Sequence, residues 1–354
     1  MLYAQESLWN TTLPMIHIAV ISDEGYAYPT TVMLASAKHN KKKESQYCIH
    51  CISNGMTSFS KNQIKALAED DFEVLMYEIE DKEKYNSIDI VLGGTWSIST
   101  IIKTDIPEIL NSLEKVLFLD GDILVTKDLT DLWNIDIQDY LLAAVPALDY
   151  GREKIFHIEA YFNAGVLLMN LKQWREERIP EKVWEHFRDD PSQYPLCEQD
   201  VFNKVCRGRV RYLPYIWNCF AARCRLKNTL EYVNERYQTQ FGSWEEMEAQ
   251  AAVFHYTCYK PWRDRSLPHA SLWQKYHDLS PYGNTALVYP PPPAPSRSYH
   301  LKVKLFGLVP LLSVKDRERL CSIRIMGIEL FRIRKNNRKR VLSFLYIPVA
   351  TWRV

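Results

Sequence analysis

Asp120-Gly121-Asp122 is the place in this chain where residue types and spacing could do chemistry. The triplet follows Val116-Leu117-Phe118-Leu119 and precedes Ile123-Leu124-Val125. An uninterrupted, β-rich apolar run reads as a central strand buried on both faces. Side chains at i and i+2 of a strand point the same way, about 6–7 Å apart along it, and the glycine between them leaves the backbone open to close approach. Two aligned carboxylates at the carboxyl end of a strand make a hard, oxygen-only cup for a divalent cation, and a cation held there can carry a diphosphate. Asp-Gly-Asp is also an ordinary turn sequence, favoured for local reasons. The buried strand in front of it strengthens the metal reading.

Two other groups of residues offer metal-binding chemistry. His255, taken alone near a short apolar segment, reads as a hydrogen-bonded structural histidine as readily as a ligand. Cys48-Ile49-His50-Cys51 has the spacing of half a zinc site, but no second CxxC or HxxxH in the sequence completes it. The eight cysteines are scattered and are expected to be reduced.

Strands alternating with helices must position these residues. Strands are expected at Ile16 to Ile21, Tyr47 to Ile52, Phe72 to Ile79, the run ending at Asp120, Leu141 to Val145, Ala164 to Met169 and Phe254 to Tyr256. Helices are expected from Pro29 to His39, from a Ser60 cap to Ala68, from Ser99 to Asn111 (irregular at Pro107), from Gln173 to Asp189, from Glu198 onward and from Tyr237 to Ala252. This alternation predicts an α/β domain with a doubly wound, mostly parallel sheet covered on both faces. Ligands of such sheets sit beyond the carboxyl ends of the strands, where Asp23 and Asp120 both fall.

The 354 residues, 47% hydrophobic and 25% charged, suit one large globular domain or two smaller ones. The net charge of +1 hides a split: Arg297 to the end holds 14 Lys and Arg against 3 Asp and Glu, a net of +11, leaving −10 for the rest. Tyr289 to Pro295 reads as a stiff proline-rich linker. The division is therefore 1–289 as the domain that does the chemistry, 290–296 as linker and 297–354 as a basic tail. Met1 to Pro14 has neither a basic start nor a sustained apolar stretch and is not read as a signal peptide. Without a secretory signal, the Asn10-Thr11-Thr12 glycosylation match is treated as noise. No run of about 18 apolar residues marks a membrane-spanning helix.

The tail repeats itself loosely every 20 residues or so: Leu305-Phe306-Gly307-Leu308-Val309-Pro310 is echoed by Ile325-Met326-Gly327-Ile328-Glu329-Leu330 and faintly by Leu345-Tyr346-Ile347-Pro348-Val349. Each apolar unit has basic flanks. That pattern suits an anionic membrane surface, to which clustered Lys and Arg contribute about 1 kcal/mol each, or a β-ribbon that covers the body. Nucleic acid is not expected, because no recognised binding motif accompanies the charge.

Five segments together resemble one family, the retaining glycosyltransferases related to bacterial lipopolysaccharide glucosyl- and galactosyltransferases, with glycogenin as a distant relative. They are Val20 to Tyr26, Lys115 to Trp133, Tyr161 to Leu171, Glu198-Gln199-Asp200 and His255 to Trp262, matching in order and spacing across about residues 16 to 265. The resemblance implies a GT-A fold, a UDP-sugar donor and a manganese ion. It makes Asp120 and Asp122 metal ligands and His255 the third; a mixed nitrogen and oxygen set suits manganese better than magnesium. Lys260 would add a second positive charge at the leaving diphosphate. Asp23 matches the uridine-binding loop, with Ile21 near the base. Asn163, Ala164 and Gly165 match the segment that approaches the donor sugar. Glu198, Gln199 and Asp200 match the segment beneath that sugar, where a carboxylate or amide could attack or stabilise developing positive charge.

The chain also departs from the family. Lys103 stands where an arginine usually grips the donor, keeping the charge without the bidentate fork. Ala147 replaces a usual acid, with Asp149 two residues on, and Cys258 replaces a glycine. The expectation is a cytoplasmic, membrane-peripheral enzyme at the inner face of the cell membrane. It would move glucose or galactose from a UDP-sugar to a surface glycan or glycolipid such as lipopolysaccharide. The departures leave open a non-catalytic member that binds UDP-sugar or membrane as a partner or scaffold. A nucleotidyltransferase is disfavoured, because the loop after the first strand, Ser22-Asp23-Glu24-Gly25, holds one glycine.

Overall fold

The computed structural model describes residues 15–79, 81, 84–85, 98–189, 193–220, 228–257 and 260–284, and the backbone of six strands between Tyr299 and Arg353. The chain divides into two compact units, Met1–Val288 and Tyr289–Val354.

The first unit is built on β1 (Ile16–Ser22), β2 (Tyr47–Ser53), β3 (Phe72–Glu78), β4 (Lys115–Leu119), β5 (Ile123–Val125), β6 (Leu142–Pro146), β7 (Phe162–Asn170), β8 (Val210–Tyr212) and β9 (Val253–His255). Seven of these form one sheet in the order β3-β2-β1-β4-β7-β6-β8; β5 and β9 form a separate antiparallel pair. The pairings β1–β2, β2–β3, β1–β4 and β6–β8 are parallel, and β7 runs antiparallel to both its neighbours. Both faces are covered. Ile18, Val20, Leu117, Leu119, Val166 and Leu168 belong to one apolar cluster, whereas Ala19, Ile21, Val116, Phe118, Leu167 and Met169 belong to another. This two-residue alternation between two cores explains why the strand sequences are continuously apolar.

Most differences from the expected elements lie at caps and breaks. The first helix is longer, Glu24–Asn40, because the Asp23 carboxylate accepts the Tyr26 amide at 3.0 Å and caps it. Thr57, not Ser60, caps the helix Ser58–Lys65. The expected Ser99 to Asn111 helix is a helix Ile98–Ile102, a 3₁₀ turn Lys103–Asp105 and a turn of helix Ile106–Ile109 with Pro107 in its first turn. Gln173 to Asp189 is two helices, Leu171–Glu176 and Ile179–Asp189, broken where Arg178 adopts φ 54°. Tyr237 to Ala252 is not one helix either: Leu230–Tyr237 ends at Gln238 with φ 53°, and Trp244–Gln250 restarts from a Ser243 cap.

The second unit holds a six-stranded antiparallel meander: β10 (Tyr299–Leu305), β11 (Val309–Arg317), β12 (Leu320–Ile325), β13 (Ile328–Lys335), β14 (Lys339–Phe344) and β15 (Ile347–Arg353). Its register shifts at Val303/Lys304, Ile323/Arg324 and Leu342/Ser343. These irregularities recur with the spacing of the sequence repeat. One repeat is therefore one strand pair, and each apolar unit spans the junction between its two strands. The proline-rich linker lies outside the described residues.

Candidate active site

Strand direction assembles the site. Asp120 follows β4, at the carboxyl edge of the parallel strands. The start of β7 reaches the same edge because β7 runs the opposite way, and the Asp120 amide donates to the Gly165 carbonyl at 2.8 Å. The β5–β9 pair sets Ile123 opposite His255, and the Tyr256 amide donates to the Asp122 carbonyl at 3.0 Å. His255 thus arrives against the two acids from about 130 residues away in sequence. Potential ligand atoms of Asp120, Asp122 and His255 all lie within 4.8 Å of one another. His255 Nε2 stands 3.2 Å from Asp122 Oδ1 and 3.9 Å from Asp120 Oδ2.

The glycines are explained by this crowding. A Cβ on Gly165 would sit 2.1 Å from His255 Cε1 and 2.8 Å from Asp120 Oδ2, so the imidazole occupies the space that the missing side chain leaves. A Cβ on Gly121 would meet Thr30 Oγ1 at 2.4 Å, so this glycine lets the helix Glu24–Asn40 pack against the turn.

A directed chain of hydrogen bonds orients His255. Its Nδ1–H donates to Asn218 Oδ1 at 2.8 Å, and Asn218 Nδ2 donates to Asn163 Oδ1 at 3.0 Å. Asn163 Nδ2 donates to Gln199 Oε1 at 2.9 Å, Gln199 Nε2 to the Tyr161 hydroxyl at 3.1 Å, and Tyr161 to Asp200 Oδ1 at 2.5 Å. Each amide has its donor turned one way, which places the imidazole proton on Nδ1 and the Nε2 lone pair toward the acids. Such outer hydrogen bonding fixes the tautomer and direction of a metal-binding histidine. The donor set of two carboxylate oxygens and one outward-facing imidazole nitrogen fits a divalent cation such as Mn²⁺.

Two lysines complete the electrostatics. Lys260 donates to Asp122 and, at 2.7 Å, to the Tyr256 carbonyl. Burial pushes the Asp122 carboxyl up, but the positive charges beside it, that of His255 whenever its Nε2 also carries a proton and that of Lys260, prevail and hold it well below the usual carboxylate range. Lys103 is buried and spends its ammonium on Ala164 O at 2.9 Å, Glu198 Oε1 at 3.0 Å and Asp120 Oδ1 at 3.3 Å. Burial opposes its charge, yet the two acids raise its pKa. Burial raises Glu198, with Lys103 offsetting part of that push.

The segment Glu198-Gln199-Asp200 begins the helix Glu198–Val205. Its three side chains diverge. Gln199 Oε1 also accepts the Ala164 amide at 3.0 Å and so sits over the β7 start, whereas Glu198 turns to Lys103. Asp200 is fully buried and accepts from Arg152 at 2.6 Å and from the Leu196 amide at 2.8 Å besides Tyr161. Cys197, just before them, holds φ 54°, a conformation that costs a residue with a side chain about 1–3 kcal/mol. Asp23 caps its helix and accepts from Ser99 at 3.1 Å; Ile21 lies 8% exposed at the end of β1. Asp149 caps the helix Tyr150–Phe156 and lies 3.7 Å from Arg152. Cys258 lies outside the described residues.

Sequence reasoning missed Asn218, Tyr161 and Arg152. Asn218 carried a usable signal, as one amide inside the apolar run Tyr215-Ile216-Trp217-Asn218-Cys219-Phe220: a buried amide needs partners.

Residues 17–266 match the profile of Glycosyl transferase family 8. The chain belongs to that family. An Escherichia coli lipopolysaccharide 1,2-glucosyltransferase is 24% identical over 276 residues, covering 74% of this chain and 78% of the relative. A Haemophilus influenzae protein named as a glycosyltransferase is 33% identical over 126 residues, 33% of this chain; the match spans 38% of the relative's length. The galactosyltransferase LgtC, solved with donor and acceptor sugar analogues, superposes with a TM-score of 0.62 at 24% identity over 75% of this chain and 96% of its own. The bifunctional glycosyltransferase WbbM gives a TM-score of 0.62 at 20% identity, over 79% of this chain and 52% of its own. The first unit therefore has the GT-A fold of family 8, which implies a divalent metal and a nucleotide-sugar donor.

Proposed function

We propose that this family 8 protein transfers a hexose, glucose or galactose, from a UDP-sugar to a surface-glycan acceptor such as lipopolysaccharide, with retention of configuration and dependence on manganese. The observation that carries this reading is the convergence of Asp120, Asp122 and a pre-oriented His255 at the carboxyl edge of the sheet.

In this reading Asp120, Asp122 and His255 hold the cation. When bound, it supplies the positive charge that neutralises the departing diphosphate. Lys260 adds a second positive charge beside the same phosphates. Asp23 and Ile21 flank the uridine. Asn163 and Ala164 border the donor sugar, with Gln199 beneath it, beside the positive charge that develops at the anomeric carbon. Asp200 acts as a positioning residue: it terminates the hydrogen-bond chain that orients Gln199 and, through Asn163 and Asn218, His255. Glu198 keeps Lys103 charged and in place against Asp120.

The test is UDP release. Purified protein with Mn²⁺ and UDP-glucose or UDP-galactose should release UDP slowly without acceptor, and Asp120→Asn should abolish that release. The competing reading, a non-catalytic member, is favoured by Lys103, whose three internal contacts match the three donors of its ammonium. Failure to turn over any UDP-sugar, with wild-type binding of UDP intact, would select it.

We propose further that the tail, residues 297–354, holds the protein beside an anionic membrane at the cytoplasmic face, close to a lipid-linked acceptor. Its net basic charge and its repeated apolar units support this. No helix among the described residues is long and apolar enough to cross a membrane.

A further inference from the structure

A second group of metal-binding side chains lies at the opposite, amino-terminal end of the same sheet. The register of β1 on β2 sets His17 opposite Cys48, and that of β2 on β3 sets Cys48 opposite Glu73. His50 follows Cys48 by two residues and so shares its face. His17 Nδ1 and His50 Nε2 are 3.0 Å apart, and potential ligand atoms of His17, Cys48 and His50 all lie within 4.8 Å of one another. The Glu73 carboxylate, on the paired strand, adds its negative charge to burial in pushing the Cys48 thiol up. Two imidazole nitrogens on one tetrahedral zinc stand about 3.3 Å apart, given Zn–N distances near 2.0–2.1 Å. The observed pair needs a shift of only a few tenths of an ångström.

We propose that His17, Cys48 and His50 form a second cation site, for zinc, distinct from the Asp120–Asp122–His255 centre, with the exposed Glu73 carboxylate, which stands outside that group of three, turning in as fourth donor. Three further observations support it. His50 Nδ1 is hydrogen-bonded to the Tyr77 hydroxyl at 2.9 Å, the outer contact that directs Nε2 into the cluster. The donors are imidazole and thiol, a set that selects zinc over the hard cations suited to carboxylates. His17 is half-buried and Glu73 exposed, so an ion can reach the site from solvent. Burial pushes the Cys48 thiol up to about 12, so binding expels a proton. Cys51, the other cysteine of the sequence motif, packs with Ile49 in the cluster on the opposite face and takes no part. Along β1 the site is about 16 Å from Ser22, at roughly 3.3 Å per residue. Its role is that of a clip joining three strands, and it does not depend on the transferase reading.

The experiment uses the full chain, stripped of metal and dialysed against Zn²⁺ with excess Mn²⁺ present, with bound zinc counted by mass spectrometry. Wild type and Asp122→Asn should each hold one more zinc than His17→Gln. Zinc should raise the Tm of wild type and not of His17→Gln, and Tyr77→Phe should weaken zinc by about 10–100-fold. Co²⁺ added to wild type should give a sulfur-to-metal charge-transfer band that is absent in Cys48→Ser. The site is wrong if wild type retains no zinc, if His17→Gln retains as much as wild type, or if the cobalt protein lacks the sulfur band. The cobalt arm on wild type needs no variant to fold.

Discussion

At the scale of single residues, the site depends on what is missing as much as on what is present. Gly165 is where it is because His255 fills the space that a side chain would take. Gly165→Ala is expected to push the imidazole away from the acids, weakening Mn²⁺ binding and lowering UDP release at least about 100-fold. Overpacking of this kind costs about 1–3 kcal/mol of stability; a metal titration with a thermal melt separates the two effects. Asp200 behaves differently. It is fully buried and holds Arg152, Tyr161 and the Leu196 amide. Asp200→Ala leaves the partly buried Arg152 guanidinium with only the longer 3.7 Å contact to Asp149, so the cost falls below the about 3–5 kcal/mol of a fully broken buried pair. We expect a lower denaturation midpoint together with a fall in turnover, since the chain that orients Gln199 and His255 loses its final acceptor.

At the scale of elements, Asp128 ties the exit of β5 to the approach to β2. Its carboxylate accepts from the Lys42 amide at 2.8 Å, Ser45 at 2.7 Å, Tyr47 at 3.1 Å and the Thr130 amide at 2.9 Å. Burial pushes this carboxyl up, but the hydrogen bonds prevail and hold it at about 2. A folded-state pKa below the unfolded one contributes stability above the unfolded value of about 3.9, and that contribution is lost as pH falls through the folded one. Urea melts of wild type should therefore lose stability between about pH 4 and pH 2 more steeply than those of Asp128→Asn, and equal slopes would rule the contribution out. Helix lengths were the least legible feature at this scale. Arg178 and Gln238 take positive φ and end helices that periodicity alone would continue. Neither is a glycine, so no residue type announced the break. The strands β5, β8 and β9 have three residues each, too few to carry a two-residue period.

At the scale of the whole molecule, acid and base are segregated along the chain. If the basic tail attaches the protein to membranes, deletion of residues 297–354 should abolish pelleting with anionic vesicles while leaving Mn²⁺-dependent UDP release unchanged. A truncated protein that still pellets would refute attachment through the tail. The repeat that sequence reading detected in the tail corresponds to successive strand pairs with a recurrent irregularity of register. The meander followed from pairing between neighbours rather than from the apolar units alone.

The order of apolar runs and breakers was enough to establish an α/β domain with a mostly parallel sheet, because strands buried on both faces must be apolar throughout. Asp120 and Asp122 stood out by type and spacing as a possible cation cup, whereas His255 and Gly165 were picked out only by the family resemblance, and Gly165 was expected to make room for a sugar where the fold fills that space with the His255 imidazole. Folding in three dimensions settled what depends on direction and register. The reversal of β7 carries Asn163 and Gly165 to the carboxyl edge, and the β5–β9 pairing sets His255 on Asp122. Asn218 became meaningful only once its neighbours in space were known. A hydrogen bond is satisfied by proximity, and proximity between residues far apart in a chain is written in no local stretch of it.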